Sequence, residues 1–328
     1  MYGYETFHEE LMKNLIESVH QGRSSHAYIF EGEKGLGKLN SARLFAASLT
    51  CSNTDISPCG TCSSCVEAKA NSNPDIIYVR PKKDKKTIGA DDMRELEEDV
   101  AIKPFDSKHK VYIFEDGAQL TPAAQNVFLK TFEEPPEYAV FIIVIENLTL
   151  LLPTILSRFT SIHFPPVSNE MIERHIRNNY PEIDDRLPFL IKFSGGIPGT
   201  ADKIIKDEEF EPLRMASLEN LFTLCSSNKI AAFKIQKFLE ENKEKAESIL
   251  NFWLLFLRDV ILIQTDAPEM IINVDKKEHL RKLASRINPE YAVKMTNKLV
   301  KSENMLGRYV SLKAISMWLA LDETAKIV

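Results

Sequence analysis

Apolar residues gather in short, uninterrupted runs in the first half of the chain: "HAYIFEG" (26–32), "DIIYVR" (75–80), "KVYIFED" (110–116), "AVFIIVIE" (139–146) and "SIHF" (161–164). Runs of this length without polar alternation suit strands covered on both faces, as in a parallel sheet. Between them, apolar positions recur at helical spacing over roughly 38–50, 91–101 and 122–133, the last opened by Thr121 as N-cap and Pro122 in the first turn. Strand alternating with helix predicts a doubly wound α/β domain. After "FPPVS" (164–168) the strand pattern stops, and helical segments follow, punctuated by turns such as "SGGIPG" (194–199). The expected domains are 1–166 (α/β), 167–211 (a small helical piece) and 212–328 (a larger helical domain). The stretch "ILNFWLLFLRDVILI" (249–263) is apolar nearly all round, as a central bundle helix would be.

That stretch is too short for a membrane span and is broken by Arg258 and Asp259. The N-terminus has neither the basic start nor the apolar core of a signal peptide, so a cytoplasmic protein without membrane contact is expected. A net charge of −6 excludes a globally basic nucleic-acid binder and leaves room for a local basic patch.

Three constellations carry candidate chemistry. "GEKGLGKLNSA" (32–42) follows a strand and opens a helix. It places Gly32, Gly35, Gly37 and Lys38 as a phosphate loop would, with backbone N–H groups and a helix N-terminus facing an anion. An ordinary glycine-rich turn is the alternative. The position after the lysine, where a hydroxyl would hold Mg²⁺, is Leu39, and the acidic pair ending the third strand reads Glu115–Asp116, the reverse of the metal-binding Asp and water-positioning Glu expected there. Second, Cys51, Cys59, Cys62 and Cys65 form a C-x7-C-x2-C-x2-C array, the donor set of a tetrahedral structural Zn²⁺ site. A redox pair or unligated thiols are the alternatives. Cys225 stands apart and reads as a core residue. Third, Ser157 and Arg158 close a helix opened by Pro153; on physics alone the arginine is well placed at the negative end of a helix dipole. The basic run "RPKKDKK" (80–86) reads as a solvated loop, with a phosphate-contacting loop as the minority reading.

Taken together, "SSHAYIFEGEKGLGK", the cysteine array, "NVFLKTFEEPPEYAVFII" and "LLPTILSRF" resemble bacterial clamp-loader subunits of the AAA+ class over residues 1–200, with the helical remainder similar to the family's collar. The degraded motifs look most like delta-prime-type subunits of DNA polymerase III rather than the ATP-hydrolysing gamma/tau type. The resemblance implies an AAA+ doubly wound parallel sheet domain, a helical lid over 167–211 and an all-α oligomerisation collar over 212–328. Ser157 and Arg158 match the family's Ser-Arg-Cys motif, with Phe159 in place of its Cys. Arg158 is thereby implied to act in trans as an arginine finger on a neighbour's ATP. The family's polar sensor after the fourth strand is replaced by "VIEN", and Thr200 stands where a sensor arginine is usual. Little or no intrinsic ATPase activity is expected, although Lys38 and the glycines can still hold ATP, another nucleotide or an anion. Implied partners are gamma/tau and delta subunits, a sliding clamp and primed DNA, within the DNA polymerase III holoenzyme. A gamma/tau-type ATPase motor is the alternative, and a zinc-dependent DNA-binding module a third reading.

Overall fold

The structure is a computed structural model describing residues 6–53, 56–226 and 229–320. It comprises two compact units: residues up to Ile172 together with Gly196–Gly199, and Glu173–Gly195 together with residues from Thr200 onward.

In the first unit, β1 (Ala27–Glu31), β2 (Ile76–Val79), β3 (Lys110–Phe114), β4 (Ala139–Ile145) and β5 (Thr160–His163) form an all-parallel sheet in the order β2-β3-β4-β1-β5. The helices are α1 (Glu9–His20), α2 (Lys38–Thr50), α3 (Ser63–Lys69), α4 (Ala90–Val100), α5 (Pro122–Glu133) and the single turn α6 (Pro153–Leu156). Side chains alternate across a strand, so β4, buried along all seven residues, feeds two cores. Val140, Ile142 and Val144 pack with Tyr28, Phe30, α1 and α2; Ala139, Phe141, Ile143 and Ile145 pack with Tyr112, Phe114 and α4–α6. This explains the missing polar alternation in the sequence: both faces are covered. Thr121 caps α5 as its sequence predicts, accepting the Ala124 N–H at 3.2 Å.

Helices α1 and α3 were not expected. Helix α1 buries only Met12, Leu15 and Ile16, and α3 is seven residues long, so each leaves a weak periodic signal.

The second unit is helical throughout its described residues: α7 (Asn169–Asn179) continues into it, followed by α8 (Leu187–Ser194), α9 (Pro198–Lys206), α10 (Phe210–Leu224), α11 (Lys229–Glu241), α12 (Ala246–Gln264), α13 (Lys277–Ala284), α14 (Pro289–Gly307) and α15 (Leu312–Ala320). Helix α12, the apolar stretch of the sequence, is central: Trp253, Phe256, Leu257 and Val260 are fully buried in one cluster with residues of α10, α13, α14 and α15. Its one buried carboxylate, Asp259, accepts N–H bonds from Ile272 and from the backbone and side chain of Asn273. Asn273 in turn accepts from the wholly buried Arg214, which also pairs with Asp275 at 2.7 Å and lies 3.6 Å over the Phe189 ring. Every charge in this buried set has a partner, as burial of a charge requires. The network pins α8, α10 and α12 to the 271–276 segment. Cys225 is core, as expected, with burial pushing its thiol up to about 12.

Candidate functional site

Strand order brings the carboxyl ends of β3, β4 and β1 side by side, the place where open α/β sheets bind ligands. The turn after β1 keeps the backbone of a phosphate loop. Gly32, Gly35 and Gly37 have φ of +144°, +97° and +79°, and Gly37 caps α2 without side-chain help. Left-handed values of this kind favour glycine. At Gly35 space matters as well: the Gly199 N–H donates to the Gly35 carbonyl at 3.0 Å, and a Cβ added at Gly199 would sit 2.6 Å from the Gly35 Cα. The sequence pattern "SGGIPG" is therefore a strap laid on the loop.

The side chains, in contrast, are engaged internally. The Lys38 ammonium is 5% exposed and donates to the carbonyls of Gly32 (2.5 Å) and Glu33 (2.7 Å). Burial lowers its pKa, opposed by the carboxylates of Glu146, Asp116 and Glu33. Leu39 packs against the α1/α2 core. Glu115 pairs with the Arg80 Nε at 2.8 Å and faces the Arg43 guanidinium at 3.7 Å, and both arginines sit 5.5 Å from the Tyr78 ring centre. Asp116 accepts the Ala118 N–H and Asn147 accepts the Thr149 N–H, each capping a short turn. Phe7 lies where a Cβ on Gly37 would touch it, and Thr6 and Ser41 share a hydroxyl hydrogen bond. Arg43 and Phe7 were not singled out from the sequence, and Arg80 and Gly199 only as members of the basic run 80–86 and the turn 194–199. Only their contacts across the fold reveal them.

Arg158 follows the single turn α6. Its guanidinium donates to the Thr154 carbonyl at 2.7 Å and pairs with Glu133 of α5 at 2.5 Å, with about a third of the side chain exposed. Ser157 caps the turn, its hydroxyl donating to the same carbonyl at 3.1 Å. Phe159 is 7% exposed and meets the Phe132 ring edge-on at 4.7 Å, anchoring the chain beside the arginine. Thr200 is half-buried in α9, in the second unit.

The four array cysteines converge, with Sγ atoms all within 4.8 Å of one another. The Cys51–Cys62 and Cys59–Cys65 separations are both 4.0 Å. Tetrahedral thiolates at a Zn–S bond of ~2.3 Å stand roughly 3.8 Å apart, so the donors and spacing fit such a metal. Backbone N–H groups of Cys59, Cys62 and Cys65 each point at the sulfur of another array cysteine at 3.4 Å. Such donors orient and stabilise thiolates. The N–H groups of Thr61 and Cys62 bring Cys59 down to about 6, while burial raises Cys51 and Cys65. The module is tied to the sheet through Asn73, which donates to Ser64 of α3 and accepts the Asp75 N–H.

The basic run 80–86 is largely spent on ion pairs: Arg80 with Glu115, Lys82 with Glu95 and Asp92, and Lys85 with Asp92. A solvated structural loop accounts for it.

The fold and site define a doubly wound parallel α/β domain with a glycine-rich strand-to-helix loop and a four-cysteine module, followed along the chain by a helical region. Family models described as "DNA polymerase III, delta subunit" and "DNA polymerase III, delta subunit, C terminal" match residues 7–168 and 209–312. The chain belongs to the DNA polymerase III delta-subunit family. It is 28% identical over 314 residues to DNA polymerase III subunit delta' of Bacillus subtilis, covering 95% of this chain and 94% of that one. It is 35% identical over 196 residues to the gamma/tau subunit of Mycobacterium tuberculosis, covering 58% of this chain and 34% of that protein's length. A gamma subunit-related protein from Thermotoga maritima aligns over 93% of this chain and 97% of its own at 18% identity and a TM-score of 0.41. Among the described residues no helix is long and apolar enough to cross a membrane.

Proposed function

We propose that this chain is a non-hydrolysing subunit of the DNA polymerase III clamp loader that helps load the sliding clamp on primed DNA and donates Arg158 to the ATP site of a neighbouring gamma/tau-type subunit. The observation that carries the reading is the internal engagement of every side chain a phosphoryl-transfer site would need. Leu39 supplies no metal ligand, Glu115 is held by Arg80, Asp116 caps a turn, and Lys38 is bonded to its own loop. Phosphoryl transfer depends on metal ions and positioned charge, and neither is provided for here. Arg158, by contrast, is held by one helix-end carbonyl and a half-exposed glutamate. A surface pair of this kind is worth about 0–1 kcal/mol, so the guanidinium exchanges partners at little cost. In this reading 167–211 is the lid, 212–328 the oligomerisation collar, and delta and gamma/tau subunits are the partners of a cytoplasmic complex. The cysteine module holds a structural Zn²⁺, which braces the segment between α2 and β2 and leaves no open coordination position for catalysis.

Reconstitution with motor subunits, clamp and primed DNA tests this. Arg158→Ala is expected to lower ATPase and loading about 10³-fold or more. Unchanged rates would sink the finger assignment. A gamma/tau-type motor remains the second reading because the loop backbone is intact. Steady ATP turnover by the pure chain, abolished by Lys38→Ala, would establish it.

A further inference from the structure

Two buried aromatics bring together the charges at Arg158. The rings of Phe132 and Phe159 meet edge-on, centres 4.7 Å apart, and both residues are buried. Their sequence neighbours, Glu133 and Arg158, are thereby held side by side at the surface, with 47% and 32% of their side chains exposed. Glu133 is the last residue of α5, where the helix dipole disfavours a carboxylate. Helix stability therefore does not call for an acid at this position, and Arg158 is its ion-pair partner. On the arginine, Nη1 donates to the Thr154 carbonyl at 2.7 Å and reaches the Ser157 hydroxyl at 3.4 Å, while Nη2 donates to Glu133. The two terminal nitrogens form the fork with which a guanidinium grips two phosphate oxygens. Both are engaged within the chain.

We propose that Glu133 is a latch on Arg158: it holds the guanidinium neutralised and parked, and gives it up to the phosphates of a neighbouring subunit's ATP. The inference rests on the finger role proposed above for Arg158 and adds the residue that regulates it. The carboxylate brings one negative charge and stands half-exposed, so the pair is weak. A polyphosphate carries more charge and offers the fork two oxygens at once, so it displaces the carboxylate. Glu133 acts only through Arg158 and is a positioning residue. The direction of its effect follows. Each productive encounter first breaks the Glu133 contact, so the latch lowers the fraction of Arg158 that is ready for a neighbour's phosphate. Removing it should therefore raise the rate.

The test compares reconstituted complexes carrying wild type, Glu133→Gln, Arg158→Ala and the double variant, in steady-state ATP turnover with clamp and primed DNA. Glu133→Gln is expected to raise kcat/KM about two- to fivefold, the worth of one exposed ion pair. The same substitution should have no effect on the residual rate once Arg158 is Ala. A gain that requires Arg158 is not what a merely structural residue produces. Circular dichroism and co-elution check that each variant folds and assembles. The latch alone is overturned if Arg158→Ala lowers turnover while Glu133→Gln leaves kcat/KM unchanged or lowers it. It is also overturned if Glu133→Gln gives the same gain in the Arg158→Ala background. If Arg158→Ala itself leaves turnover unchanged, the finger role falls and the latch falls with it.

Discussion

The phosphate loop and the cysteine module lie one helix apart and have kept opposite halves of a binding site. The loop retains its backbone: three glycines in positive φ and an uncapped helix N-terminus. Its side chains are engaged within the protein itself. The cysteine module has irregular backbone around a short helix, yet all four donors converge and three N–H groups support them. In the proposed function the cradle, without ligating side chains, serves as a structural element, whereas the converging donors serve as a metal site. That difference orders the expected effects of mutation.

The largest effect is expected at the sulfurs. Cys65→Ser should remove the metal, read by elemental analysis of freshly purified protein as a loss from one zinc per chain, and destabilise the first unit by on the order of 4 kcal/mol in denaturant unfolding. Zinc-free wild-type protein of undiminished stability would break the comparison. Next comes the strap on the loop. Gly199→Ala drives a Cβ to 2.6 Å from the Gly35 backbone, which cannot yield as a flexible side chain would, and should cost about 2 kcal/mol.

Lys38→Met is expected to be smaller, about 1 kcal/mol, because it exchanges two carbonyl hydrogen bonds for relief of a buried charge. It should leave ATP turnover by the reconstituted complex unchanged. A large loss of turnover would mean that the loop is a working site after all. The smallest effect is one whose pH dependence is confined to acid. Asp75 is 2% exposed; burial alone would raise its pKa, but three N–H bonds from Phe105, Asp106 and Ser107 outweigh that and hold it below the ordinary value. Its contribution is therefore fully present above about pH 4, the unfolded value, and is lost as pH falls through the lower folded value. In thermal melts the gap between wild type and Asp75→Asn should be constant above that pH and close below it.

Much of the site was legible because it depends on residue type and spacing. Gly32, Gly37 and Lys38 after a strand, and four cysteines within fifteen positions, announce backbone shape and donor chemistry directly. Leu39 and the inverted Glu115–Asp116 were equally visible as departures. What those departures become was not visible. The Arg80 and Arg43 that hold Glu115 come from a strand end and a helix face, and Glu133, which holds Arg158, lies 25 positions away. Helices α1 and α3 escaped because each buries only three residues. The Arg214–Asn273–Asp259 network left one trace, the charged pair Arg258–Asp259 interrupting an apolar helix.

The sequence by itself determined the local rules: which runs are strands covered on both faces, where helices begin, which turn must be glycine, and which donors suit a soft metal. These follow from period, propensity and side-chain chemistry within a few residues. Only the tertiary structure decided the use of those parts, because use depends on partners far apart in the chain. Strand order set the loop beside Glu115 and Asn147, the 196–199 strap closed on Gly35, and the packing of Phe132 on Phe159 placed Glu133 beside Arg158. Each is a long-range contact, and a local pattern carries no information about which distant residue will meet it.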